Sequence, residues 1–310
     1  MSAQGFKPAT IERTAQESEP SSPTLLQTPL TANPTLQPPL NLAHIDIAAL
    51  QALGIPTPMG GRDRIIDEYR LIKRAILQNA ATELEKSHRN LVMVTSTQPG
   101  EGKTFTAISL AMSVVAEAGK DVLLVDLDVG KQDLCQKLGI QTNTGLINLL
   151  TDPALTPSQA LVQTDVPRLS ILPAGADSPL AHELIAGVKM RSFMQTLSHW
   201  YRKGLVIIDV APVLGVPDAN VLATNVGQIV LVVEANRTGR AAVTESIALL
   251  KDCKKISLLL NKVDASILID NYGSYYGQQY KVPNIGGTSS IPERISSYVG
   301  NYLRRWYQPK

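Results

Sequence analysis

Cysteine is scarce here, at two residues in 310. Cys135 and Cys253 fall in segments of helical pattern without metal-ligand spacing, so the reading is two buried, reduced thiols rather than a disulfide or zinc scaffold. Long hydrophobic runs are lacking too, since none approaches the ~18 residues needed to cross a bilayer. The N-terminal stretch is polar, and no secretory leader is expected. Charge of one sign is missing: Lys and Arg number 29 against 27 Asp and Glu, a net charge of +2. With no dense basic run before the extreme C-terminus, nucleic acid is excluded as a partner. Apolar residues are plentiful at 44%, enough for the core of one large α/β domain with an appendage, or of two domains.

The chain is organised around residues 93–106, Met-Val-Thr-Ser-Thr-Gln-Pro-Gly-Glu-Gly-Lys-Thr-Phe-Thr. An apolar run, Leu91–Val94, breaks into a turn containing Pro and Gly, and the helical pattern of Phe105, Ile108, Leu110, Met112 and Val115 follows. Strand, glycine-containing loop and helix together form a phosphate cradle, in which backbone N–H groups and the positive end of a helix dipole meet an anion. Residues Gln98, Pro99, Gly100, Glu101, Gly102, Lys103, Thr104 and Phe105 are therefore the candidate nucleotide-binding set, with Asn261 from a later strand end. Lys103 would reach the β- and γ-phosphates of ATP, and the Thr104 hydroxyl would ligate Mg²⁺. The usual pattern is G-x-x-x-x-G-K-[ST], and Thr97 stands in place of its first glycine. Replacing Lys103 with Met is expected to abolish phosphotransfer and spare the fold.

Residues 1–41 are rich in Pro, Thr, Ser and Gln without periodicity, and are expected to be disordered. Residues 42–89 read as docking and self-association helices, one over Ala43–Leu53 and one over Arg64–Gln78. From 90 to 266 the pattern alternates strand and helix, with strands at Leu91–Val94, Asp121–Asp126, Leu169–Pro173, Gly204–Asp209, Gln228–Glu234 and Ile256–Asn261. Helices are expected at Pro179–Ile185, Val188–Tyr201 and Ala241–Leu250. This alternation predicts a doubly wound, mostly parallel α/β sheet with helices on both faces, as in P-loop NTPases. Ligands of such sheets bind beyond the carboxyl ends of the strands, where Thr97–Thr104, Asp126 and Asp209 all fall. Asp209 closes an apolar strand in the Walker-B manner, so Asp128 and Asp209 join Thr104 as candidate Mg²⁺ ligands. Asp126 and Asp128, two apart on extended backbone, point the same way. That leaves a carboxylate to spare as a base for a phenol whose ordinary pKa is ~10.

Ser-Thr-Gln-Pro-Gly-Glu-Gly-Lys-Thr, Val-Leu-Leu-Val-Asp-Leu-Asp and Val-Ile-Ile-Asp-Val-Ala-Pro resemble the bacterial tyrosine kinases (BY-kinases), in particular the exosortase-associated autokinases of exopolysaccharide clusters. The resemblance covers roughly Ile45 to Tyr280 and implies Lys103, Asp126 and Asp128 as catalytic residues, with Asp126 the candidate base. It also implies an oligomer, a membrane-embedded polysaccharide chain-length regulator as partner, and a cytoplasmic place at the inner face of the membrane through that partner. The neighbouring deviant-Walker ATPases carry a signature lysine where this chain has Gln98, which favours the kinase branch. Two segments depart from the family: Asp128-Val129-Gly130-Lys131-Gln132 replaces Asp-x-Arg-Arg-Pro, and Asp209-Val210-Ala211-Pro212 replaces Asp-[Ser/Thr]-Pro-Pro. The self-association motif Glu-x-x-Arg-x-x-Arg appears as Asp67, Arg70 and Lys73.

Seven of nine tyrosines follow residue 270. Tyr272, Tyr275, Tyr276 and Tyr280 lie among Gly, Ser, Asn and Gln in the tail, 267–310, which in the family is the autophosphorylation substrate. Pro292–Tyr307 has the spacing of an amphipathic helix. Two other functions remain open at this point. Asn261-Lys262-Val263-Asp264 looks like a guanine-reading Asn-Lys-x-Asp, pointing to a GTPase. A nucleotide-gated assembly factor with little kinase turnover is the other.

Overall fold

The computed structural model describes residues 41–58, 64–81, 88–117 and 119–263. All belong to the unit Leu36–Lys310; the other unit, Met1–Thr35, lies outside the described residues. So do Asp264, the four tail tyrosines and the segment Pro292–Tyr307.

Strands β1 (Asn41–Ala43), β2 (Leu91–Ser96), β3 (Val122–Leu127), β4 (Val162–Thr164), β5 (Leu169–Leu172), β6 (Leu205–Val210), β7 (Gln228–Glu234) and β8 (Ile256–Asn261) form one sheet in the order β1-β4-β5-β3-β6-β2-β7-β8. Every neighbouring pair is parallel except β4 with β5. In β2, β3 and β6 every residue is buried, as a strand with helices on both faces must be. Alternation assigns the faces: Val92, Val94, Leu124 and Ile207 enter one core, and Leu91, Met93, Val125 and Ile208 the other. Each such side chain, once fully buried, stabilises the fold by roughly 1.5–3 kcal/mol.

The first core is closed by α1 (Ile47–Ala52), α2 (Arg64–Ala81), α3 (Lys103–Val115) and α4 (Asp133–Lys137). The second is closed by α5 (Leu146–Thr151), α6 (Pro157–Ala160), α7 (Ala181–Ala186), α8 (Val188–Trp200), α9 (Asp218–Leu222) and α10 (Arg240–Leu249). Helix α3 is buried nearly all round, Thr104, Thr106 and Ser109 included, which suits an element wedged between sheet and α2.

Three expectations are corrected. Asn41–Ala43 is a strand rather than disordered or helical, paired in register with Val162–Thr164. Asp165 pins it, accepting the Ile45 N–H at 3.0 Å and pairing with His44. The following helix starts only at Ile47, capped by the Asp46 carboxylate on Ala49 N–H at 2.9 Å. Cys253 lies in the turn after α10, not in a helix, though it is buried as expected.

Candidate active site

The turn after β2 reverses through left-handed backbone at Gly100 (φ +86°) and Gly102 (φ +101°), a region glycine enters without steric cost. Thr97 is not in that region, so the missing first glycine costs no backbone strain. The loop is held from several sides. Glu101, 2% exposed, accepts the Gln98 N–H at 2.9 Å and the Thr238 hydroxyl. Asn261 donates to the Glu101 carbonyl at 2.8 Å, and Lys262 to the Gly100 carbonyl at 2.8 Å and Glu234 Oε2 at 3.0 Å. Both side chains brace the loop from the end of β8. Phe105 turns its ring toward Tyr69 of α2, with centroids 6.5 Å apart.

Behind the loop, register does the assembly. Asp126 of β3 stands directly opposite Asp209 of β6, and Asp209 is level with Val94, two residues before the end of β2. Lys103 Nζ lies 2.8 Å from Asp128 Oδ2, 3.1 Å from Asp209 Oδ1 and 3.1 Å from Thr104 Oγ1. The lysine is 8% exposed, which opposes its charge, but Asp209 and Asp128 outweigh burial and hold its pKa above the ordinary value. Lys103 is therefore an internal counter-ion, and the expectation that it can be replaced without cost to the fold is corrected.

Asp126 makes no bond to the lysine. Its Oδ1 accepts the Asp128 N–H at 3.2 Å, while Oδ2 is buried without a hydrogen-bond partner. Burial first, then the Asp209 charge beside it, push its carboxyl up to about 7. Asp209 is also raised, by burial, with Lys103 pulling the other way. A second unpartnered oxygen, Asp209 Oδ2, lies in the same buried cluster. Lone carboxylate oxygens beside a threonine hydroxyl are the donors a hard, oxygen-seeking cation such as Mg²⁺ takes. Among the described residues no group of three or more acidic or imidazole ligands closes on one point by itself.

One pair had no signal in the sequence. His182 of α7 and Asp218 of α9, 36 positions apart, meet at 2.9–3.0 Å. No motif joins them, so only the folded chain reveals the contact.

Against known proteins, a family model described as an AAA domain matches residues 89–262. The putative tyrosine-protein kinase EpsB of Ralstonia nicotianae is 33% identical over 229 residues, 73% of this chain and 29% of that protein. The putative tyrosine-protein kinase CapB of Staphylococcus aureus is 30% identical over 218 residues, 69% of this chain and 90% of that protein. This chain belongs to the bacterial tyrosine kinases. The crystal structure of the chimerical protein CapA2B2 agrees in fold, with a TM-score of 0.59 and 26% identity over 70% of this chain and 98% of that one. The sheet and the loop after β2 thus have the family's P-loop nucleotide-binding fold. The chain spans less than a third of the length of EpsB, at 29%. Among the described residues no helix is long and apolar enough to cross a membrane.

Proposed function

We propose that this protein is an ATP-dependent protein-tyrosine kinase whose main acceptors are Tyr272, Tyr275, Tyr276 and Tyr280 of its own C-terminal cluster. The observation that carries the reading is the buried cluster of Lys103, Thr104, Asp128 and Asp209, with Asp126 beside it holding an oxygen that no other group uses. The N–H groups of residues 100–105 bind the phosphates, and Lys103 neutralises their charge. Thr104, Asp128 and Asp209 would hold Mg²⁺, which when bound draws charge from the phosphate oxygens. Asp126 accepts the phenol's proton. With its carboxyl near 7, it is partly ionised at neutral pH, as a base must be. Phosphoryl transfer is largely loose, so positioning and charge neutralisation contribute more than this proton transfer.

Subunits associate through the face of α2 that carries Asp67, Arg70 and Lys73, and each tail enters a neighbour's site. The likeness to tyrosine kinases of polysaccharide systems extends the proposal to the process. A membrane-embedded chain-length regulator holds the kinase at the inner membrane face, and tail phosphorylation governs exopolysaccharide length and export. Incubating the purified protein with γ-labelled ATP and Mg²⁺ and mapping phosphotyrosine is the test, and label on the tail is expected. Tighter calorimetric binding of GTP than of ATP would overturn the choice of nucleotide. Nucleotide turnover without phosphotyrosine would favour the assembly factor.

A further inference from the structure

His182 and Asp218 take no part in the chemistry above. Asp218 opens α9, in the connection that follows β6, and His182 lies in the first turn of α7, in the connection that follows β5. Strand β3, which carries Asp126 and leads to Asp128, lies between β5 and β6 in the sheet. The pair is therefore built from the two connections that flank the catalytic carboxylates. It sits with the helices of the core opposite α3, where Ile185 and Ala219 pack. Burial raises the Asp218 carboxyl, His182 counters it, and the charge of Asp128 is near enough to raise it further.

The Asp218 side chain is 2% exposed and that of His182 48%. Both carboxylate oxygens face the imidazole Nδ1, so Nδ1–H donates and Nε2 is left as an acceptor in the neutral ring. A buried carboxylate needs a donor, but an asparagine at position 182 would supply one as well. What the imidazole adds is Nε2, on a half-exposed ring carried by the connection that follows β5, the strand beside β3. Two residues earlier Leu180, 60% exposed, offers apolar surface beside it.

Resting on the kinase reading, we propose that His182 is an acceptor-binding residue. Its Nε2 accepts a hydrogen bond from the polypeptide that carries the tyrosine, and Asp218 fixes the ring for it. Leu180 backs the apolar part of the same segment. The occupant is a tyrosine-bearing stretch such as residues 268–282 of a second copy.

The test uses the full chain with Tyr272, Tyr275, Tyr276 and Tyr280 changed to Phe, ATP with Mg²⁺, and a peptide of residues 268–282 as acceptor. His182→Asn keeps a donor for Asp218 and removes Nε2. Its Tm, its KM for ATP and its kcat should stay unchanged, while KM for the peptide rises about five- to tenfold, the worth of one neutral hydrogen bond. His182→Ala should show the same peptide defect with a lower Tm, because Asp218 loses its donor. A wild-type peptide KM in His182→Asn would reduce the pair to a structural brace and overturn the proposal, as would a defect confined to ATP KM or kcat. If the parent chain binds ATP yet transfers no phosphate to the peptide, the kinase reading itself falls.

Discussion

Lys103 and Asp126 share one buried cluster and respond to it in opposite ways, one kept charged by its neighbours, the other pushed toward neutrality. The folded chain holds the Asp126 proton up to about pH 7, whereas the unfolded chain releases it near the ordinary 3.8. Between those values the folded state binds more protons, so this residue's contribution to stability falls as pH rises. Asp126→Asn keeps the acceptor for Asp128 N–H and removes the penalty. Without nucleotide, its Tm should exceed that of the parent increasingly from about pH 5 to about pH 8, while phosphotransfer slows about a hundredfold. In the parent, autophosphorylation should climb through about pH 7. Lys103→Met strands Asp128 and Asp209 without their cation, and breaking a buried pair costs about 3–5 kcal/mol. Denaturant titration of the nucleotide-free variant should show a lower midpoint than the parent, with part of the loss recovered as pH falls and the carboxylates protonate. Gly102→Ala faces both left-handed backbone and a Cβ that would lie 2.1 Å from Asn261 Nδ2. Strain of about 1–3 kcal/mol and loss of the Asn261 brace should weaken nucleotide binding at least tenfold by calorimetry.

Among the elements, α2 and α3 transmit most to the site, because α3 begins at Lys103 and α2 lies along it. Tyr69, 5% exposed, sets its ring beside that of Phe105 of α3, and Lys73 pairs with Glu117 at 3.2 Å. The three charges spaced along α2 are thus not equivalent. The Lys73 side chain is 13% exposed and engaged within the chain, whereas Arg70, 59% exposed, pairs with Asp67 at the surface. Arg70→Ala should weaken association in sedimentation and make it less salt-dependent. Lys73→Ala should lower thermal stability by no more than about 1 kcal/mol, with less effect on the sedimentation profile. An unchanged profile on replacing Asp67, Arg70 and Lys73 together would remove this face from the oligomer.

For the molecule as a whole, the parallel sheet gathers every reactive group at one end and leaves the chain at β8, beside the loop that Asn261 and Lys262 brace. The proposed transfer between subunits predicts an autophosphorylation rate that rises with protein concentration. In the proposed reaction each phosphate adds about −1.5 to −2 charges, so a phosphorylated tail should be repelled by the carboxylates and released. Replacing the four tail tyrosines with Phe should remove most phosphotyrosine and abolish the concentration dependence of the reaction. Undiminished label, mapped by mass spectrometry, would move the acceptors to Tyr298, Tyr302 and Tyr307.

The central strands that build the site were legible because burial on both faces demands unbroken apolar runs, and β7 begins and ends where its run does; β8 matches its run as well, although Leu258 and Leu260 on it are exposed. The loop residues were legible because phosphate binding needs glycine, lysine and a hydroxyl at set spacing, whatever the surrounding fold. Strands β1 and β4 escaped notice, for three residues carry too little periodicity and their pairing exists only once Val162–Thr164 lies beside them. Nor does any local pattern predict that Asp126 titrates near 7 while Lys103 stays charged. Both follow from strand register, which sets Asp126 against Asp209 and buries both beside the lysine. By itself the sequence determined which groups are present and at which end of the sheet they stand. Tertiary structure alone decided which of them share a dielectric, and so which carries the spare proton and which is the counter-ion, because Coulomb energies depend on distance and burial rather than on order along the chain.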